Sequence, residues 1–199
     1  MVLKAAERCF WVLGVLALGY CLYVGLQAGW SQLAGRYELE HELPLTAVFS
    51  TNSQARLANG AVVARLDIPR LKVSTVVFEG AGDDVLDRGA GHLAGSALPG
   101  DRGNMVLAAH RDTFFRPLRN IRVGDRITVH APVHDADYVV ESTTVVQPQD
   151  TYVLNPTPQP ALTLITCYPF TYIGAAPERF VVRAVLAPNA PVNESRVRD

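Results

Sequence analysis

No charged residue occurs between Arg8 and Arg36. A run this long and this apolar has few homes other than a bilayer. As an α-helix, Cys9 to Trp30 would span roughly 33 Å, against a hydrocarbon core of about 30 Å. Trp11 and Trp30 fall near the two expected interfaces, where tryptophan is favoured, and Tyr20 and Tyr23 add aromatic bulk. Lys4 and Arg8 precede the run, while Arg36, Glu38, Glu40 and Glu42 follow it. The positive-inside rule then puts the N-terminus in the cytoplasm and everything after Trp30 outside. A cleaved signal peptide would also export the rest. The run is long for that role, however, and Leu26-Gln27-Ala28 and Gln32-Leu33-Ala34 lack the small first residue of a cleavage site. Residues 1–35 are therefore expected to be a cytoplasmic N-terminus and a single-pass signal anchor in the cell membrane. Cys9 and Cys21 serve in it as small apolar residues.

The exported part divides by texture. Residues 36–60 are polar and irregular and read as a stalk, with a short helical piece near Tyr37–Leu43. From Ala61 the pattern becomes short strands separated by turn residues, up to Ala187. Residues 188–199 are rich in Pro, Asn and charge and should fray. Within 61–187, Ala64, Leu66 and Ile68 share one face, Arg65 and Asp67 take the other, and Pro69 closes the strand. Lys72–Phe78, Asn104–Ala109, Ile121–Val123, Arg126–His130, Tyr138–Val146, Leu162–Thr166 and Phe180–Leu186 complete the strand set. Asp83–Asp87 reads as one helical turn with an acidic start. The glycines from Gly89 to Gly103 read as loop, since glycine at that density supports neither helix nor strand. Gln147–Pro160, with Pro148, Pro156, Pro158 and Pro160, is a long surface loop of the kind that carries function. Seven or eight strands with little helix predict an all-β, closed or nearly closed barrel, because closure removes exposed edges.

Charge and cysteine content narrow the chemistry. Lys plus Arg is 18 and Asp plus Glu is 19, a net charge of −1. That argues against a nucleic-acid binder, which shows a basic surplus. The chain has three cysteines, too few and too scattered for a disulfide scaffold or a four-cysteine zinc site. Only Cys167 lies outside the apolar run. It ends a β-branched strand next to a loop, where a nucleophile can be reached, although a buried structural cysteine reads the same way. A cysteine nucleophile needs a proton donor and acceptor. Among His41, His92, His110, His130 and His134, only His110 stands at the end of an apolar strand. His92 in the glycine-rich loop suits a structural hydrogen bond. His130 and His134, flanking Pro132, suit solvated positions. Arg179 begins the strand after the Cys167 loop and can face Cys167 across it, as a donor to a developing oxyanion or as a rim ion pair with Glu178 or Asp112.

These residues resemble a known family. Thr163-Leu164-Ile165-Thr166-Cys167 followed by Arg179 is similar to the Thr-Leu-x-Thr-Cys and arginine motifs of sortases. Ala109-His110-Arg111-Asp112 within Asn104–Leu118 resembles their histidine motif. Leu66-Asp67-Ile68-Pro69 resembles the first barrel strand. Gly91-His92 and Leu98-Pro99-Gly100 resemble the loop before the histidine. The Tyr168-to-Arg179 stretch looks most like class D. The resemblance implies an eight-stranded barrel and a cysteine transpeptidase, with Cys167 as nucleophile, His110 as acid and base, Arg179 as oxyanion and substrate donor, and Thr166 in support. It implies cleavage of a Leu-Pro-x-Thr-Gly-like signal after its threonine. Its partners are then secreted proteins bearing that signal and an amine acceptor, either a cell-wall precursor or a protein lysine. Gln147–Pro160 matches the position of the family's specificity loop. No cofactor and no metal are expected, the acidic Asp83, Asp84 and Asp87 being accounted for by a helix start. Two other readings fit the residues alone. One is a cysteine peptidase that releases the same thioester to water. The other is a membrane-tethered binding module in which Cys167 is structural.

Overall fold

The computed structural model of the chain describes residues 4, 8, 10–23, 26, 57–172 and 174–187. Residues 10–23 are helical and their apolar side chains are exposed. Among the described residues no helix is long and apolar enough to cross a membrane. The remainder of the expected span, the stalk with its helical piece up to residue 56, and the tail from residue 188 lie outside the described residues.

Eight strands close into a barrel. They are β1 (Val62–Ile68), β2 (Val73–Glu79), β3 (Ala90–His92), β4 (Asn104–Ala108), β5 (Arg126–His130), β6 (Asp135–Val146), β7 (Ala161–Tyr168) and β8 (Glu178–Leu186). Around the barrel they run β1-β2-β3-β4-β7-β8-β6-β5, with β5 pairing back onto β1. The β2–β3 and β4–β7 pairs are parallel and the rest antiparallel. The period-2 pattern carries the sorting of faces: Ala64, Leu66, Ile68, Met105, Leu107, Leu162, Leu164, Val182 and Ala184 fill the interior. Each buried Leu or Ile contributes about 1.5–3 kcal/mol of burial free energy. Tyr138 is fully buried among them, and its hydroxyl accepts the Gly100 N–H at 2.9 Å. Burial pushes the Tyr138 phenol pKa up from its usual value.

Three expectations need correction. The glycine-rich stretch is not all loop, because Ala90-Gly91-His92 is a strand paired with both β2 and β4. Glycine is required there by crowding rather than by flexibility: a Cβ on Gly91 would stand 2.3 Å from the Gly80 carbonyl oxygen. Ile121–Val123 is not a strand but joins a 3-10 helix (Arg116–Asn120) to β5. His130 ends β5 as expected but is not simply solvated, being held between Asp67 at 3.1 Å and Asp135 at 2.8 Å. His92 is a structural histidine. It is 2.6 Å from Glu79 through Nδ1, and through Nε2 it lies 2.8 Å from the Ser96 hydroxyl and 3.1 Å from the Ala97 carbonyl. Ser96 in turn accepts the Val106 N–H, so β2, β3 and β4 are tied together through one buried imidazole.

Candidate active site

Cys167 lies on β7 and Arg179 on β8, while His110 follows the end of β4, the strand on the other side of β7, by two residues. Cys167 and Arg179 are direct partners across the antiparallel β7–β8 pair. On an antiparallel pair, opposed residues have Cβ atoms about 4.5–5.5 Å apart and share a face. On the other side, β4 runs parallel to β7 with Ala108 opposite Ile165. The next step is pinned twice: the Ala109 N–H donates to the Ile165 carbonyl at 3.3 Å, and the Thr166 hydroxyl donates to the Ala109 carbonyl at 2.8 Å. Carried two residues past Ala108, the same register sets His110 beside Cys167.

Alternation decides where this row points. Met105 and Leu107 of β4, Leu162 and Leu164 of β7, and Val182 of β8 face the interior. His110, Cys167 and Arg179 have the opposite parity, so the row lies on the outer wall of the barrel at the end where β4 and β7 finish and β8 begins. Cys167 is half-buried and unpaired by any disulfide. The His110 side chain is 39% exposed, so solvent and a peptide can reach it.

Thr166 has inward parity and is buried, and its hydroxyl is occupied by the Ala109 carbonyl. Its side chain clamps β7 to the His110 segment instead of facing the row. The guanidinium of Arg179 donates from Nη1 to the backbone carbonyls of Glu178 at 2.9 Å and Ala176 at 3.2 Å. Among the described residues it makes no ion pair with Glu178 or Asp112. Asp112 lies 3.4 Å from Arg111 instead.

Two residues that sequence reasoning passed over belong to the site's surroundings. Asp87, just after the single-turn helix Asp83–Leu86, places Oδ1 3.4 Å from His110 Nε2. Nothing local in the sequence points to that meeting, since the helix lies in the β2–β3 crossover. Arg111 is buried and donates to the carbonyls of Pro169 at 2.9 Å, Tyr172 at 2.6 Å and Gly174 at 3.3 Å. It straps down the segment joining Cys167 to Arg179. An arginine next to the histidine and followed by Asp112 was the available signal, but it reads equally well as a surface charge. Tyr168, Phe170 and Phe180 stiffen the same segment, with ring centroids 5.3–6.1 Å apart in edge and stacked contacts. Among the described residues no group of three or more His, Cys, Asp or Glu side chains is arranged to hold a metal ion.

A thiol, an imidazole and a guanidinium in one accessible row can attack a carbonyl, move a proton and receive a negative oxygen. Comparison with known proteins points the same way. A sortase-domain family model matches residues 66–187. Sortase D of Bacillus subtilis (strain 168) is 34% identical over 118 residues, which are 59% of this chain and 60% of that protein. Sortase A of Listeria monocytogenes (serovar 1/2a) is 31% identical over 111 residues, 54% of this chain and 50% of that protein. The chain thus matches about half to three-fifths of the length of these curated relatives. Among solved structures, a Clostridium perfringens Sortase D5 transpeptidase superposes with a TM-score of 0.68 at 27% identity, covering 81% of this chain and 98% of that one. Sortase E from Streptomyces avermitilis superposes with a TM-score of 0.57 at 30% identity, covering 66% and 91%.

Proposed function

The chain belongs to the sortase family, and from that premise we propose that it is a membrane-anchored cysteine transpeptidase acting outside the cytoplasm on secreted proteins. The substrate is a C-terminal sorting signal of the Leu-Pro-x-Thr-Gly type, and the acceptor is an amine on a cell-wall precursor or a protein lysine. The observation that carries the reading is the direct pairing of Cys167 with Arg179 across β7 and β8, with His110 two residues past the end of β4 on the other side of β7. The uncharged run from Cys9 to Gly35 supports the anchor.

In this reading the Cys167 thiolate attacks the threonine carbonyl carbon. The carbonyl oxygen takes the negative charge and the Arg179 guanidinium donates to it. The C–N bond then breaks, His110 gives its proton to the departing amine, and a thioester to Cys167 remains. The acceptor amine attacks that thioester, passing a proton to His110. The C–S bond breaks and Cys167 returns as thiolate. Dividing amide exchange at a covalent intermediate replaces one hard step with two easier ones. Arg111 and the aromatic trio act by holding the segment between nucleophile and arginine, because small misplacements at such a row are costly in rate.

The test uses the full chain in detergent, incubated with Leu-Pro-x-Thr-Gly and Leu-Pro-x-Thr-Ala peptides, with and without a glycine-based amine, and read by intact mass. A thioester on Cys167 and amine-dependent product are expected, and both should be absent in Cys167→Ala. Cleavage that never incorporates amine would turn the reading to a hydrolase. An inert thiol with no adduct would turn it to a binding module.

A further inference from the structure

Five cations gather on two short segments that turn the chain at one end of the barrel. The 3-10 turn Pro69–Leu71 and the residue after it carry Arg70 and Lys72. The 3-10 helix Arg116–Asn120 and the turn into β5 carry Arg116, Arg119 and Arg122. Residues 69–72 and 116–125 thus hold five of the chain's 18 Lys and Arg but one of its 19 Asp and Glu. The rest of the chain has 13 of those cations and 18 of the carboxylates, a net of −5. A chain that is nearly neutral as a whole is strongly polarised.

The two segments form a cleft. Their one carboxylate, Asp125, is buried and accepts two bonds from Arg70, whose guanidinium also donates to the Asn120 carbonyl at 2.6 Å. These bonds pin the Pro69–Leu71 turn to the end of the 3-10 helix. Between them lies a space of about 560 Å³, lined by Arg70, Lys72, Arg119 and Arg122 with Leu71 and Pro117, and by no carboxylate. Its volume falls within the roughly 300–1,000 Å³ of small-ligand sites. Lys72, Arg119 and Arg122 are exposed, and none forms an ion pair among the described residues. Arg116 stands one turn before Arg119 on the same face, because a 3-10 helix has three residues per turn. Like charges gathered this way repel one another, and an anion among them removes the repulsion. Lys72 adds a second sign. Its φ of +54° is left-handed, a backbone that glycine adopts freely and lysine only under strain. An ammonium is held at the cleft where glycine would fit more easily.

Strand direction places the cleft. β1, β4 and β7 run the same way. The turn after β1 and the segment after β4 therefore share the barrel end at which β7 delivers Cys167. Residues 57–61 lead into β1 at the opposite end. A ligand arriving from the aqueous side suits that placement better than a bilayer headgroup. A carboxylate would bring one charge and two oxygens in a plane. A phosphate group brings more charge and oxygens in three directions, which suits cations converging from two segments.

We propose that this cleft binds a phosphate group carried by an anion of the aqueous phase, such as a pyrophosphate or a phosphate-bearing polymer. Binding there does not depend on the chemistry at Cys167.

The experiment titrates inorganic pyrophosphate, and citrate as a multivalent carboxylate, into the full chain in phosphatidylcholine nanodiscs. Calorimetry and amide hydrogen exchange over 116–124 are the readouts. Wild type is compared with Lys72→Gly, Arg119→Gln and Arg102→Gln, the last an exposed arginine outside the cleft. Pyrophosphate should bind, slow exchange over 116–124, and bind less tightly as salt rises. Citrate should bind about tenfold more weakly. Lys72→Gly and Arg119→Gln should each weaken pyrophosphate binding by about three- to tenfold, and Arg102→Gln should leave it unchanged. Lys72→Gly should melt within about 2 °C of wild type, since glycine suits that backbone, so its lost affinity is not lost fold. No pyrophosphate binding to wild type, or equal weakening in Arg102→Gln, would overturn the site. Citrate binding as tight as pyrophosphate would overturn the phosphate class. Without pyrophosphate, slower exchange over 116–124 in phosphatidylglycerol discs than in phosphatidylcholine discs would overturn the aqueous source and give the cleft to lipid headgroups. If Lys72→Gly fails to fold, Arg119→Gln decides.

Discussion

Replacing Arg111 by methionine tests how firmly the segment between Cys167 and Arg179 is held. The arginine side chain is 8% exposed and donates to three carbonyls, at 2.6, 2.9 and 3.3 Å. Methionine occupies the space with a flexible apolar chain and removes every donor. A hydrogen bond to a charged group is worth about 1.5–3 kcal/mol, and only the two shorter bonds have the geometry for it, a gross loss of about 3–6 kcal/mol. Tyr172 and Gly174 are exposed, so water takes over much of the lost bonding at their carbonyls. A net cost of about 2 kcal/mol remains. For a barrel of this size that lowers the melting temperature by about 6–10 °C. The assay is thermal unfolding of the full chain in detergent, followed by near-ultraviolet circular dichroism, with hydrogen exchange at amides 170–177. Arg111→Lys should fall between, because one ammonium cannot span three carbonyls. A methionine variant melting within about 2 °C of wild type, with those amides no less protected, would refute the strap.

Three further outcomes are expected. Asp125 accepts two bonds from Arg70 and the Arg122 N–H, and the guanidinium holds its carboxyl below the usual carboxylate range. The stability from that depressed pKa is present above the unfolded value of about 3.9 and is lost as pH falls through the folded one. Asp125→Asn should therefore melt lower than wild type at neutral pH, with the gap closing in acid; a gap constant with pH would rule the linkage out. Gly91→Ala forces a Cβ to 2.3 Å from a backbone oxygen that cannot rotate away. It should cost about 1–3 kcal/mol or more, read as a lower denaturant midpoint, and a midpoint equal to wild type would contradict the crowding. Tyr138→Phe removes the acceptor of the Gly100 N–H and should cost about 1 kcal/mol at neutral pH. Burial raises the Tyr138 pKa, so the unfolded phenol ionises first and wild type loses stability as pH climbs past about 10. The difference between the two proteins should narrow there, and urea melts across that pH range measure it.

The candidate site was legible to the extent that its residues end or begin strands. Cys167, His110 and Arg179 could be picked from strand ends, turn residues and residue chemistry, since a nucleophile must stand where an apolar strand meets a loop. The clamp role of Thr166 could not, because it depends on which strand lies beside β7. Asp87 and Arg111 escaped for the same reason: their partners, His110 and the 169–174 carbonyls, are brought near only by the crossover and by strand order. The glycine-rich stretch misled because composition suggests freedom, whereas Gly91 is there to let two backbones approach.

Alternation of apolar and polar residues is a local property, and it was enough to sort the inner from the outer face of β1, whereas β4 reads Met105-Val106-Leu107-Ala108 without alternation and its faces were assigned only by the fold. The uncharged run before Arg36 is likewise read without any neighbour. Strand order is different. The β4–β7 parallel pair joins residues 57 positions apart, from Asn104↔Ala161 to Ala108↔Ile165, and no local pattern encodes that register. Closure of the barrel chose it, by requiring each inner side chain to pack and each strand edge to find a partner. From that choice followed the pairing of Cys167 with Arg179 beside the segment that carries His110, and the Arg111 strap.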